Sequence, residues 1–196
     1  MVDARLSSDV SENVAGRGIV HGVETLHVAE IESPVGTLRL ASTSQGLAHV
    51  DLPHASGGGL AGWQRRFAPE AKPVDAYEPN RVAAVQLIEY LEGKRNVFDL
   101  PLDLRGTAFQ RRVWDALCAI PFGKTRSYAD IASAVGRPSA VRAVGGANAA
   151  NPIPFVVPCH RVIAADGRLG GYSGGLELKA RLLAMESGQP DDARLL

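Results

Sequence analysis

The sequence has few cysteines and no long hydrophobic run. Its 196 residues include only two cysteines, Cys118 and Cys159. Two are too few for a typical structural zinc site, which needs three or four thiolates, or for a disulfide framework. No apolar stretch approaches the roughly 20 residues of a membrane-spanning helix, and residues 1–20 lack the apolar segment of a secretory signal. We therefore expect a protein of the cytoplasm, a reducing compartment, with no membrane partner.

The sequence also lacks an excess of charge of either sign. Lys and Arg number 21, as do Asp and Glu, so the whole chain gives no electrostatic indication of a polyanionic partner. The charges are nevertheless unevenly distributed. Residues 105–181 contain 11 basic and 4 acidic residues, a net charge of +7, and the remainder of the chain carries −7. A basic segment is typical of phosphate binding, but a solvated basic surface explains it equally well from charge alone.

Composition and periodicity divide the chain into two tails and two folded parts. Residues 1–22 and 189–196 are polar and without a sustained period, which predicts loosely ordered tails. Residues 23–104 predict an α/β N-terminal domain, and residues 105–188 predict a mainly α C-terminal domain with a helix-turn-helix.

Three short strand-like segments begin the N-terminal domain. They lie at Thr25–Val28, Gly36–Leu40 and Leu47–Val50, and the turn-forming residues between them predict an antiparallel meander. The glycines at 57–59 predict a flexible loop. Asn80 is the predicted N-cap of an amphipathic helix. The apolar residues predicted for its packed face are Val82, Val85, Ile88 and Leu91.

The C-terminal domain begins with a predicted helix that has a clear start. Thr107 and Gln110 have the spacing of a capping box, in which each side chain satisfies a backbone N–H of the first turn. Cys118 lies in the apolar pattern of this helix, so we expect it to be a buried and unreactive thiol.

Two further predicted helices make a helix-turn-helix candidate. Ser127 caps the first of them, and Gly136 ends it. Pro138 fits the first turn of the second, which runs to about Ala147. This last helix has Arg142 as its single long side chain among Ala, Val and Gly, unlike a major-groove reader with several long polar side chains.

Two interpretations of this smooth helix remain open. It could approach the narrow minor groove of DNA, with Arg142 entering the base stack as a wedge. It could equally make a tight helix–helix contact that requires small residues, with Arg142 exposed and without a role.

Cys159 is the strongest candidate for a nucleophile. Three prolines within 151–158 restrict the backbone before it, and His160 and Arg161 follow it. If Pro158 lies in the first turn of a helix, the helix N-terminus and the two basic neighbours all favour the thiolate. A buried structural cysteine is the alternative, but the neighbouring basic residues and the rigid segment favour a reactive thiol.

Five motifs lie along the C-terminal domain. They are Ser-Tyr at 127–128, Ala-Val-Arg-Ala-Val-Gly-Gly-Ala at 140–147, Asn-Pro at 151–152, Pro-Cys-His-Arg at 158–161 and Gly-Tyr-Ser-Gly-Gly-Leu at 171–176. With these motifs the chain resembles the O6-alkylguanine-DNA alkyltransferase family, the methylated-DNA–protein-cysteine methyltransferases. The resemblance covers most of residues 105–186, and the N-terminal half is similar only as a small sheet-and-helix domain.

The resemblance implies direct-reversal DNA repair. In such repair the alkyl group of O6-alkylguanine, and also of O4-alkylthymine, passes from duplex DNA to Cys159 after the base is flipped out of the stack. The transfer is irreversible, because a thioether is a stable product, and each molecule acts once as a suicide methyltransferase. No metal and no organic cofactor are implied.

The resemblance also implies individual roles. The catalytic residues would be Cys159 as nucleophile, His160 as its base through a water, Glu186 to orient the imidazole, Asn151 to brace the active-site turn and Tyr128 to donate to the leaving guanine. The residues that would bind the substrate base are Tyr128, Val162, Tyr172 and Ser173. The residues that would bind DNA are Arg142, which would fill the space left by the flipped base, Ser139, Ala140, Ala143 and Gly145.

The expected partner is double-stranded DNA that contains O6-alkylguanine, bound from the minor groove. We expect a monomer, with cooperativity on DNA left open, in the cytoplasm and at the nucleoid when bound. Some relatives bind zinc through N-terminal cysteines, but no cysteine precedes Cys118 here. The alternatives are a lesion-binding protein without transfer activity, whose relatives lack the cysteine, a cysteine hydrolase with many turnovers, and a helix-turn-helix regulator.

Overall fold

A computed structural model of the protein describes residues 23–53 and 58–188. The predicted tails at 1–22 and 189–196 lie outside the described residues. None of the helices in the described ranges is long and apolar enough to cross a membrane.

A four-stranded sheet forms the centre of the N-terminal domain. Its strands are β1 (Thr25–Ile31), β2 (Leu38–Thr43), β3 (Gly46–Asp51) and β4 (Lys72–Asp75). The strand order is β3-β2-β1-β4; β1 and β3 run antiparallel to β2, and β4 runs parallel to β1. The predicted antiparallel meander is therefore confirmed. Strand β4 was not predicted, because all four of its residues are exposed and it has no apolar alternation.

Both faces of the sheet are buried, each against a different helix. On one face Leu26 and Val28 of β1 pack with Leu60 and Trp63 of α1 (Gly59–Phe67). The other face packs against α2 (Arg81–Leu91) and the C-terminal domain. The sequence did not predict α1: Gly59, expected in a flexible loop, is its first residue.

The helix predicted after Asn80 is present, but its packed face was predicted correctly only in part: Leu91 is buried in the core and Ile88 packs against it. Val82 and Val85 are 50% and 42% exposed. Ala84, Leu87 and Tyr90 are instead fully buried, and they lie on a second apolar stripe of the same helix. Because alanine is small, this stripe packs closely against the sheet, and the apolar pattern alone does not distinguish the two stripes.

Asn80 anchors the start of α2 in a way that differs from the predicted N-cap. Its side chain makes no capping hydrogen bond and is fully buried. It accepts from Ser42 Oγ at 2.8 Å and donates to the carbonyl oxygens of His27 and Ala76, both at 3.0 Å. Asn80 therefore ties the helix to the interior of the sheet.

The linker between the domains, residues 101–103, runs along the edge of β3. Leu102 forms a parallel bridge with Leu47, whose N–H donates to the Pro101 carbonyl at 2.9 Å and whose carbonyl accepts from the Asp103 N–H at 2.8 Å. A Cβ on Gly46 would lie 2.2 Å from the Pro101 carbonyl oxygen. Only glycine fits at this point, because the backbone of the linker passes directly over it.

The C-terminal domain is mainly helical, as predicted. Its elements are α3 (Ala108–Cys118), β5 (Arg126–Ser127), α4 (Tyr128–Ala134), α5 (Val141–Ala149), β6 (Val162–Ile163) and α6 (Leu176–Ser187). The capping box at Thr107 and the N-cap at Ser127 are confirmed, and Asp130 completes a second capping box with Ser127 that was not predicted. β5 and β6 form a short parallel pair.

The helix-turn-helix consists of α4 and α5, with a turn that is longer than predicted. Gly136 has a φ of 71° and ends the first helix as expected. Pro138 lies in the turn, where the Ala140 N–H donates to the Arg137 carbonyl at 2.9 Å, and α5 begins only at Val141. The prediction that Pro138 begins the helix is therefore wrong.

One hydrophobic core spans both domains. It contains Leu40 of β2, Tyr90 of α2, Trp114 of α3 and Phe155, all at most 1% exposed. The Trp114 indole also donates from Nε1 to the carbonyl of Ala147, at 2.9 Å, which fixes α5 on α3. Because this apolar surface is shared, its burial holds the C-terminal domain against the N-terminal domain.

Candidate active site

The segment between α5 and β6 carries Cys159 in a tightly fixed backbone. Cys159–Arg161 forms a single 3-10 turn, so the condition that Pro158 lies in the first turn of an α-helix is not met. Phe155 has a φ of 71°, a left-handed conformation that costs a bulky residue about 1–3 kcal/mol. Its ring is fully buried with its centroid 6.0 Å from that of Tyr90. Packing therefore holds the segment in a conformation that it would not adopt alone.

Cys159 is a buried, neutral thiol. It is 3% exposed, and Asn151 Nδ2 donates to its Sγ at 3.1 Å and to the Val157 carbonyl at 2.7 Å. Burial raises the pKa of the Cys159 thiol, and this outweighs the opposing effects of the Asn151 bond and the Lys179 charge. The prediction of a resting thiolate at a helix N-terminus is therefore wrong. The thiol needs a base to become nucleophilic.

His160, which follows Cys159 in the sequence, forms a buried pair with Glu186. His160 is fully buried, and its Nε2 lies 2.9 Å from Glu186 Oε1. Burial would raise the pKa of Glu186, but hydrogen bonds from His160 and Arg161 outweigh it and hold that pKa well below its usual range. The ionised carboxylate can only accept, so Nε2 of His160 carries the ring proton.

The other ring nitrogen of His160 is consequently an acceptor. Nδ1 is buried and has no hydrogen-bond partner within the described residues. Burial lowers the pKa of His160, so the imidazole is neutral at pH 7 and able to take a proton. This is the state that a general base requires.

Arg161 binds the carboxylate of Glu186 rather than the thiol of Cys159. Its Nε and Nη2 donate to the two oxygens of Glu186 at 2.8 and 2.9 Å, and its Nη1 donates to the Ile120 carbonyl at 2.7 Å. The expectation that Arg161 favours the thiolate directly is not met. Cys118, the other cysteine, is exposed at the end of α3, so the prediction of a buried thiol there is also wrong.

A cleft of about 410 Å³ leads to Cys159, within the size range of small-molecule sites. Its lining residues are Tyr128, Gly145, Asn148, Ala149, Cys159, Gly171, Tyr172 and Ser173. Three of the four residues predicted to bind the substrate base therefore line it. The fourth, Val162, is fully buried in β6, and its carbonyl oxygen accepts from Lys179 Nζ at 2.6 Å.

The two tyrosines of the cleft are hydrogen-bond donors. Burial and the neighbouring Cys159 raise the pKa of both Tyr128 and Tyr172, so both hydroxyls stay protonated. The Tyr172 hydroxyl is buried and has no partner in the described part of the chain. Tyr128 lies against Gly170, where an added Cβ would approach its hydroxyl to 3.1 Å. The loop carrying Tyr172 and Ser173 thus packs directly on α4.

Lys179 holds this loop in place, and sequence reasoning missed it. It lies on α6 and is fully buried. Its Nζ donates to the carbonyl oxygens of Val162, Leu169 and Gly171. Burial lowers the pKa of Lys179 to about 8. The sequence signal was a lysine within the apolar pattern of α6. From the sequence alone, however, such a lysine cannot be distinguished from one at the surface.

The exposed face of α5 carries mostly small side chains, and these do not pack against the rest of the described protein. Of the residues predicted to bind DNA, Ser139, Arg142 and Ala143 are exposed and Ala140 and Gly145 are half-buried. The helix packs on the core through Val144, Ala147 and Asn148. An added Cβ on Gly145 or Gly146 would meet no atom within 4 Å. A tight helix–helix contact therefore does not explain these glycines.

The site combines a cysteine at a cleft with the His160–Glu186 pair, which is the arrangement of a protein that transfers a group to a nucleophile. The helix-turn-helix of α4 and α5 beside it is a nucleic-acid-binding motif. Within residues 23–53 and 58–188 no group of three or more His, Cys, Asp and Glu side chains is placed to hold a metal ion.

Comparison with known proteins identifies the family. Residues 26–104 match the ribonuclease-like domain of 6-O-methylguanine DNA methyltransferase, and residues 108–188 match its DNA binding domain. The chain therefore belongs to the 6-O-methylguanine DNA methyltransferase family. The resemblance drawn from the sequence motifs and the predicted fold class are both confirmed.

Individual relatives cover most of the chain. The methylated-DNA–protein-cysteine methyltransferase of Methanosarcina barkeri is 47% identical over 156 residues, which are 80% of this chain and 94% of the relative. The inducible enzyme of that name from Bacillus subtilis is 46% identical over 147 residues, 75% of this chain and 82% of the relative. Mycobacterium tuberculosis OGT in complex with DNA has a TM-score of 0.73 at 41% identity, covering 85% of this chain and 98% of OGT.

Proposed function

We propose that the protein repairs alkylated DNA by direct reversal, transferring the alkyl group of O6-alkylguanine, and of O4-alkylthymine, to Cys159. The observation that carries this proposal is the buried Cys159 thiol in a cleft, with Asn151 on its sulfur and the His160–Glu186 pair beside it. The names of the relatives, which state transfer from methylated DNA to a protein cysteine, support the same reaction.

The proposed chemistry is an in-line displacement at the alkyl carbon. His160 Nδ1 takes the thiol proton through a water, and Sγ of Cys159 forms a bond to the alkyl carbon as the bond from carbon to guanine O6 breaks. The electron pair of that bond stays on the guanine, and the Tyr128 hydroxyl donates to the ring as negative charge develops. The departing guanine anion takes up a proton from solvent and the imidazolium of His160 releases one to solvent, so the products are a thioether and neutral guanine. Each molecule therefore reacts once, and no cofactor takes part.

The walls of the cleft would select guanine. Ser173 and the backbone around Tyr172 would donate to O6, and the carbonyl oxygens of Cys159 and Val162 would accept from the exocyclic amine. Those carbonyls already accept from Asn148 and Lys179, at 3.3 and 2.6 Å. A carbonyl oxygen has two lone pairs. The Cys159 carbonyl also accepts from the Val162 N–H, so the exocyclic amine would displace Asn148 there, whereas at the Val162 carbonyl it would bind beside Lys179.

The exposed face of α5 would enter the minor groove of the duplex. That groove is only about 6 Å wide, and the glycines of α5 leave a surface low enough to approach its walls. Arg142, exposed on this face, would fill the space of the flipped base. A free monomer suffices for this geometry, and we expect it to act in the cytoplasm, at the nucleoid when bound.

Incubation with labelled O6-benzylguanine tests the transfer. We expect one label per molecule, located on Cys159 by mass spectrometry, and no second turnover. Cys159→Ala should remain unlabelled, whereas Cys118→Ala, a change at the exposed cysteine, should be labelled like the parent protein. Release of label into water would indicate a hydrolase, and binding of alkylated DNA without labelling would indicate a lesion-binding protein; either outcome contradicts the proposal.

A further inference from the structure

We propose that Tyr90, in the N-terminal domain, is a positioning residue for the transfer, holding Glu186 and His160 in the arrangement that leaves His160 Nδ1 free to act as a base. The inference rests on the proposed function, since it concerns the rate of the same transfer.

Tyr90 reaches the catalytic pair from the opposite domain. It lies on α2 and is fully buried, with its ring against those of Phe98 and Phe155 at centroid distances of 5.2 and 6.0 Å. Its hydroxyl oxygen is 2.6 Å from Glu186 Oε1 and 3.1 Å from His160 Nε2. The aromatic contacts fix the ring, so the hydroxyl has a defined position.

The direction of these hydrogen bonds follows from the protonation states. Burial and the adjacent Glu186 raise the pKa of Tyr90, so its hydroxyl keeps its proton and donates it to the carboxylate. The lone pairs of the hydroxyl oxygen then face the Nε2–H of His160. Tyr90 thereby offers His160 an acceptor and Glu186 a donor at the same time.

Three donors converge on Glu186 Oε1: the Tyr90 hydroxyl, His160 Nε2 and Arg161 Nη2, at 2.6, 2.9 and 2.9 Å. Together they fix the carboxylate and, through it, the plane of the imidazole. Loss of the tyrosine hydroxyl would leave the charge of Glu186 in place but would allow both groups to move. The hydrogen bonds of this hydroxyl go to Glu186 and His160, neither of which lines the cleft, so substrate binding should be little affected.

The test is the rate of transfer in Tyr90→Phe, which removes only the hydroxyl. Single-turnover labelling with O6-benzylguanine gives a maximal rate constant, a half-saturating concentration and an amplitude that reports the folded fraction. We expect the rate constant to fall about tenfold, the equivalent of one hydrogen bond, with half-saturation unchanged within about twofold. Tyr77→Phe, the same change at a residue that is 47% exposed, should react like the parent protein.

A double-mutant cycle with Glu186→Gln distinguishes positioning from a general structural effect. If Tyr90 acts through Glu186, the double variant should be no slower than Glu186→Gln alone. An unchanged rate constant in Tyr90→Phe, a rise in half-saturation that accounts for the loss, or additive losses in the double variant would each overturn the inference. Failure of the parent protein to label Cys159 would instead refute the proposed function.

Discussion

Replacing Gly146 with alanine would test whether the exposed face of α5 is shaped for close approach to DNA. Glycine within a helix costs stability, because its unfolded chain is freer and it buries no side chain. An added Cβ at Gly146 would meet no atom within 4 Å, so alanine fits without strain. We expect Gly146→Ala to stabilise the free protein by up to about 1 kcal/mol, a rise in Tm of about 2–4 °C.

The same methyl group should weaken binding to DNA. If α5 lies in the minor groove, the methyl holds the helix away from the sugar–phosphate walls and removes van der Waals contacts. A loss of about 1 kcal/mol corresponds to about fivefold in Kd. Fluorescence anisotropy with an undamaged duplex at fixed salt measures this, since affinities for DNA depend strongly on salt. Labelling by free O6-benzylguanine, which needs no DNA contact, should not change.

Gly62→Ala in α1 is the matched control. An added Cβ there also meets nothing within 4 Å, so a similar gain in stability is expected, but Gly62 lies in the N-terminal domain and should leave DNA affinity unchanged. Tight DNA binding by the more stable Gly146→Ala protein would refute the assignment of this face. Loss of stability would show that Gly146 is needed for packing.

Three further variants or conditions test the site. Arg142→Ala should slow repair of duplex DNA about tenfold or more while sparing the reaction with the free base, because only the duplex requires extrusion, which costs a few kcal/mol; equal losses would contradict this. Because burial lowers the pKa of His160 and only the neutral ring accepts a proton, the transfer rate should fall as pH decreases, with its midpoint below pH 6.5; a midpoint above that value would exclude His160 as the base. Lys179→Met leaves three carbonyl oxygens without their buried donor and should destabilise the fold by about 1–3 kcal/mol in urea denaturation; an unchanged midpoint would show that the loop does not depend on Lys179.

Features set by neighbouring residues were predictable from the sequence. The capping box at Thr107 and the N-cap at Ser127 depend on contacts three residues apart, and both occur as predicted. The five motifs of the C-terminal domain were sufficient to identify the family before any fold was known. Val82 and Val85 show the limit of such reasoning, because a helix with two apolar stripes buries the one that its neighbours cover.

Features set by distant contacts were not predictable. The state of the Cys159 thiol was predicted from adjacent residues, yet burial by the whole fold decides its pKa. Tyr90 lies 70 residues before His160 in the chain, so no local pattern connects them. Lys179 likewise resembles a surface residue until the carbonyl oxygens around it are known. Tyr90 acquires its role only when the two domains pack together, and Lys179 only when α6 packs against the loop of its own domain.

The linker bridge between Leu102 and Leu47 also bears on how the protein avoids aggregation. An unpaired strand edge is a template for adding strands from other chains. Here the linker occupies the β3 edge of the sheet, and the opposite edge, β4, is only four residues long and includes Lys72 and Pro73. A proline lacks the N–H that an added strand would need, and a charged lysine disfavours such pairing. Protection of both sheet edges thus disfavours aggregation of the protein before its single reaction.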